Sequence, residues 1–134
     1  MSAEIAVRAA VIAALKRDVA LMDGLNGLFD GAPERASAPY AVVEECLGAE
    51  WGAKNVDGRE VRLSISLHDM GETPVRLGPL LARVEAGVTG MAAAGGGWRV
   101  VSAQALRSRV ARQAGRERGW RAVADYRLRV VREE

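Results

Sequence analysis

Gly58-Arg-Glu-Val-Arg-Leu-Ser-Ile-Ser-Leu-His-Asp69 is the stretch on which the fold turns. From Glu60 onward apolar and polar residues alternate, with Val61, Leu63, Ile65 and Leu67 on one side and Arg62, Ser64, Ser66 and His68 on the other. Successive side chains of a strand point to opposite faces, so residues 60–69 predict a strand with one buried and one wet face. The pattern returns in Gly119-Trp-Arg-Ala-Val-Ala-Asp-Tyr-Arg-Leu-Arg-Val-Val-Arg132. Trp120, Ala122, Ala124, Tyr126, Leu128 and Val130 share one face there, while Arg121, Asp125, Arg127 and Arg129 lie on the other with Val123 and Val131. An antiparallel sheet covered by helices on one side gives this patterning.

Working outward, Tyr-Ala-Val-Val-Glu-Glu-Cys-Leu at 40–47 predicts a further strand, with poorer alternation. The loop through Gly48, Gly52 and Asp57-Gly58 is short enough to join it to 60–69 as a hairpin. Residues 98–112 read as extended, 113–118 as a turn and 119–132 as the return strand. Before the first hairpin, Val7, Val11, Leu15 and Val19 recur every four residues beside Ile12 and Met22, which predicts a helix over 3–17. Asp18 is placed to cap a short helical piece over 19–26, weakened by Gly24 and Gly27. Asp30-Gly31-Ala32-Pro33 to Pro39 is a connector of turn formers.

Between the hairpins Thr73-Pro74 opens a helix, with Leu77, Leu80, Leu81, Val84, Val88 and Met91 as its apolar stripe. Pro79 either bends its first turn or moves its start to about Gly78. Gly95-Gly96-Gly97 ends it. The expected fold is α+β: a four-stranded, mostly antiparallel sheet with two helices packed on one face, in the order α-β-β-α-β-β. A chain of 134 residues is expected to form one domain, 1–134.

Composition narrows the chemistry. One cysteine, Cys46, excludes an internal disulfide, and one histidine, His68, excludes the usual multi-ligand zinc sites and most triads. Gly95-Gly96-Gly97 lacks the Gly-Lys-Ser/Thr ending of a phosphate loop and precedes a strand, so it is read as a flexible connection. His68-Asp69 has no nucleophile motif beside it, Cys46 reads as a small packed hydrophobe, and Glu44 and Glu45 alternate faces. No catalytic, cofactor-binding or metal-binding residue is expected, and the chain is not read as an enzyme. No apolar run reaches membrane-spanning length, and Glu4 and Arg8 interrupt what a signal peptide would keep apolar.

Charge is uneven along the chain. Residues 1–98 carry a net charge of −4 and residues 99–134 a net charge of +6, the latter from ten arginines against four acids. Arg107, Arg109, Arg112, Arg116, Arg118, Arg121, Arg127 and Arg129 gather on the second hairpin. They are read either as a solvated face that keeps sheet edges from aggregating or as a basic surface for an acidic partner. Trp51, in a glycine-flanked loop, is read as an exposed aromatic suited to an interface. The interface candidates are therefore Trp51, Arg107, Arg109, Arg112, Arg116, Arg118, Arg127 and Arg129. A sequence pI near 9.1 keeps a small basic nucleic-acid-binding module as the alternative reading.

Several segments together resemble a family. They are Leu-Lys-Arg-Asp-Val-Ala-Leu (15–21), Ala-Pro-Tyr-Ala-Val-Val (38–43), Gly-Arg-Glu-Val-Arg-Leu-Ser-Ile-Ser-Leu-His-Asp (58–69), Gly-Glu-Thr-Pro (71–74) and Gly-Trp-Arg-Ala-Val-Ala-Asp-Tyr-Arg-Leu-Arg-Val (119–130). The chain resembles the small tail-terminator, or tail-completion, proteins of long non-contractile-tailed phages, and in particular their relatives in bacterial gene transfer agents. The resemblance implies a structural protein that forms a homohexameric ring on the last tail-tube ring, stops tube polymerisation and joins the tail to the head connector or stopper. It implies no cofactor, no membrane, and DNA only in transit through the pore. It also implies assembly in the cytoplasm and a final place at the head–tail junction.

Overall fold

The computed structural model describes residues 2–52, 54–114 and 118–133. The elements run α1 (Ala3–Lys16), α2 (Val19–Gly24), β1 (Leu28–Asp30), β2 (Tyr40–Trp51), β3 (Gly58–Asp69), α3 (Leu77–Thr89), β4 (Ala93–Gly95), β5 (Trp98–Gln113) and β6 (Gly119–Arg132). One six-stranded sheet has the order β1-β2-β3-β6-β5-β4. β1 pairs parallel with β2, and every other pairing is antiparallel.

The expected four-stranded sheet with two helices is corrected to six strands, mixed, with three helices. The two added strands are three residues each, too short to show a period, and they form through bonds to distant neighbours. β1 is held by Ala41 N–H donating to the Gly27 carbonyl and Gly31 N–H to the Val43 carbonyl, at 3.0 and 2.9 Å. β4 lies where a glycine connection was expected, pairing Ala93 with Arg99 and Gly95 with Trp98. The added helix is α2, where the Asp18 side chain accepts from Leu21 N–H at 3.1 Å, in the capping role expected of it.

The alternating strands are placed as their patterns predict. Val61, Leu63, Ile65 and Leu67 of β3 and Ala122, Ala124, Tyr126, Leu128 and Val130 of β6 are buried together against Val7, Val11 and Leu15 of α1 and Leu77, Leu80, Val84 and Val88 of α3. Val19 is not part of this stripe. α1 stops at Lys16, the chain turns, and Val19 begins α2 with 71% of its surface exposed. Thr73 does not cap α3 either: the helix starts at Leu77, with Arg76 at the cap position and no side-chain cap bond. Pro79 thereby falls in the first turn, where a missing amide leaves no helical bond unmade. The helix ends at Thr89 against Gly90, before the three glycines.

Gly119 opens β6 at φ +147°, a conformation that side chains rarely adopt, and a Cβ there would collide with the Asp69 carbonyl oxygen. This close approach lets the end of β3 and the start of β6 pair at Asp69 and Trp120.

Candidate functional site

The sheet face away from the helices is polar, and register decides which of its charges meet. β3 and β6 pair Ser64 with Asp125, Arg62 with Arg127 and Glu60 with Arg129. β5 continues these rows, placing Arg107 opposite Asp125 and Gln104 opposite Arg127. Asp125 consequently accepts from Ser64 Oγ at 2.5 Å and from Arg107 Nε at 2.7 Å. These two bonds, Arg107 first, hold its carboxyl below the usual carboxylate range despite some burial.

Glu60 meets Arg129 at 3.1 Å, Arg62 at 3.6 Å and Arg127 at 3.8 Å, and Arg127 also donates to Gln104 Oε1 at 2.5 Å. Arg121 lies 3.5 Å from Glu44, which accepts from Ser66 Oγ at 2.7 Å. A concavity of about 340 Å³ opens over this face, with Glu44 and Glu45 on one wall, Arg107 and Arg109 on the other, and Ser64, Val123 and Asp125 among its floor residues.

Acids of the first hairpin thus meet Arg121, Arg127 and Arg129 of the second, while Arg107 is met by Asp125 of its own hairpin. Arg132 adds a pair with Asp57 at 3.8 Å. Arg112 has its guanidinium 4.9 Å over the Trp120 ring and donates to the Glu72 carbonyl at 3.1 Å. Arg109 and Arg118 are exposed, and Arg116 lies outside the described residues. Trp51, expected in a loop, is instead the last residue of β2, half-buried, with the Arg129 guanidinium 5.3 Å over its ring.

The remaining sites that the sequence raised do not assemble into a reaction centre. His68 stacks on Tyr40 with ring centroids 4.6 Å apart, and its Nε2 is 2.9 Å from Ser66 Oγ. Ser66 is fully buried, and its hydroxyl donates to Glu44, so it is not offered to a substrate. Asp69 is turned away from His68 and held by Arg76 at 2.6 and 3.0 Å. Cys46 is half-buried beside Arg8, at 3.6 Å, and burial pushes its thiol pKa up, which makes a poor nucleophile. Among the described residues no group of three or more potential metal ligands gathers, and no helix is long and apolar enough to cross a membrane.

A sheet with two edges was expected from the sequence, but not which strands would carry them. β4 covers only the start of β5, so residues 101–113 have β6 on one side and no described strand on the other. Leu106 and Val110 on this edge are 40% and 48% exposed. β1 likewise covers only residues 41–43 of β2, and Leu47 beyond it is 59% exposed. A groove of about 440 Å³ between α3 and β5, lined by Leu81, Ala82, Ala105, Leu106 and Tyr126, lies where the helical layer stops short of the sheet. The sequence signal for these edges was the length of β2 and β5 against three-residue outer partners, β1 and β4, and it is legible only once strand order is known.

A family model described as tail completion protein gp17 matches residues 9–131 of this chain. In fold the chain is similar to a solved chain of the virion of a native gene transfer agent particle, with TM-score 0.82 and 21% identity over 98% of this chain and 99% of that one. It is also similar to the bacteriophage SPP1 gp17 protein, with TM-score 0.67 and 16% identity over 94% of this chain and 89% of that one. No curated protein matches it.

Proposed function

This chain belongs to the tail completion protein gp17 family, and from that premise we propose that it is the terminator of a phage-like or gene transfer agent tail. Its role is structural, in tail completion, and not enzymatic. In the proposed role, copies form a homohexameric ring on the last ring of tail-tube protein, stop further polymerisation and present the opposite face to the head connector or stopper. The ring is put together in the cytoplasm and ends at the head–tail junction, with DNA passing through its pore.

The observation that carries this reading is the family match over residues 9–131 of a chain whose sheet leaves long stretches of β2 and β5 open. Uncovered edges are a liability for a solitary protein and an asset for one that assembles with copies of itself. Trp51, Arg107, Arg109, Arg112, Arg116, Arg118, Arg127 and Arg129 are proposed to serve ring or tube contacts. Arg107, Arg127 and Arg129 act there through the polar face that they already brace. The alternative of a stand-alone nucleic-acid-binding module is disfavoured, because Glu44, Glu60, Asp57 and Asp125 already engage much of the positive charge that it would need.

Deleting the gene in a particle-producing strain tests the role. The expected result under the electron microscope is overlong tubes and heads without tails. Tubes of normal length attached to heads would reject the assignment.

A further inference from the structure

Among the described residues two stretches of strand have one side paired and the other bare, and they carry opposite charge. Residues 101–113 of β5 hold Arg107, Arg109 and Arg112 and no acid. Residues 44–51 of β2 hold Glu44, Glu45 and Glu50 and no base. Arg8 occupies the carbonyls of Val43 and Glu44, so the bare part of β2 begins at residue 45.

Topology fixes how these stretches can meet. β2, β3, β6 and β5 are joined by three successive antiparallel pairings, so β5 runs opposite to β2. A copy set beside another by a rotation that keeps the helices on the same side brings its β2 along the first copy's β5 in antiparallel sense. The rows also agree. Arg107 shares a row with Asp125 and Ser64, and Ser64 faces the bulge that holds Glu44 and Glu45. Gln104 shares a row with Arg127, Arg62 and Leu47. Flush addition therefore sets Arg107 of one copy against Glu44 and Glu45 of the next, and Gln104 against Leu47; β1 already covers the rows of Ser108, Arg109 and Val110, so the joint runs over residues 101–107 and 44–49. It also withdraws Leu47 and Leu106, one on each edge, from water. The symmetric alternative, β5 against β5, would oppose Arg107, Arg109 and Arg112 to themselves, and like charges across a joint are costly.

We propose that copies of this chain join head to tail by strand addition, the basic open edge of β5 pairing with the acidic open edge of β2 in the next copy. Such a joint is heterologous, so it repeats around a closed ring and covers the open stretches of β2 and β5. The inference rests on the ring reading above and specifies its contact.

Disulfide trapping in particles tests it. The native chain is replaced by one carrying Cys46→Ser, Leu47→Cys and Gln104→Cys, because facing residues of antiparallel strands lie within disulfide reach. Mild oxidation of purified particles is expected to give a ladder of cross-linked multimers on a non-reducing gel, and neither single-thiol variant should give one. A dimer from the Gln104→Cys chain alone would mean β5 against β5, and a cross-link to another particle protein would mean that the edge serves that partner. Either result overturns this inference and leaves the ring reading standing, since tail length in the deletion strain decides that separately. Absence of the chain from particles of normal tail length overturns both.

A charge exchange covers the case in which the thiol variants fold poorly. Arg107→Glu, and separately Glu45→Arg, are each expected to lower particle yield by at least about tenfold. Co-expressing the two chains should restore yield, because they can alternate around an even-numbered ring. Loss without restoration overturns strand addition.

Discussion

Asp125 ties three strands together: it sits on β6, accepts from Ser64 of β3 and pairs with Arg107 of β5. Those partners depress its folded-state pKa below the unfolded value of about 4. The stabilisation is therefore present above about pH 4 and is lost as pH falls through the depressed value. Asp125→Asn is expected to cost about 1 kcal/mol near neutrality and progressively less in acid. Thermal midpoints of both chains between about pH 7 and pH 2.5 measure this, and a cost that stays constant across the range would refute it. Glu4, lowered by its hydrogen bond from Arg59, adds to the same acid limb in both proteins. Tyr126, one position on, faces the opposite side, and burial pushes its hydroxyl pKa upward, so it stays neutral throughout.

Among the elements, α1 and β5 answer to different demands. Leu15 of α1 is fully buried against the sheet, whereas Leu106 and Val110 of β5 stay exposed on an open edge. Leu15→Ala should cost about 2–5 kcal/mol through lost burial and the cavity left behind. Leu106→Lys combined with Val110→Lys should change stability by no more than about 0.5 kcal/mol. Denaturant midpoints decide both, and particle counts should fall for the lysine pair despite its intact fold. If the pair leaves particle yield unchanged, the β5 edge is not an assembly surface.

For the whole molecule, pairing redistributes the charge that the sequence separates. The acid-rich first hairpin and the arginine-rich second become neighbours through β3 and β6, and their charges meet across the polar face. On the second hairpin, exposed Arg109 and Arg118 remain to engage phosphate. The isolated chain is expected to bind a short duplex no more tightly than about micromolar in physiological salt, with a log–log salt slope no steeper than about −4. Fluorescence anisotropy across a salt series measures both, and tight binding with a steeper slope would favour the nucleic-acid-binding reading. Weak binding also suits the proposed ring, through which DNA would have to pass without stalling.

Strict alternation in β3 and β6, the four-residue spacing in α1 and the Asp18 cap were legible in the sequence, because each is imposed by the backbone geometry of its own segment. The two extended segments of the second hairpin were also legible, while most of the turn expected at 113–118 lies outside the described residues. β1 and β4 were not, since three residues carry no period and these strands exist only through bonds to β2 and β5. Which arginines are matched, where Trp51 rests and which edges stay open likewise depended on strand order and register. These are properties of pairing between segments far apart in the chain, and only the tertiary structure could decide them.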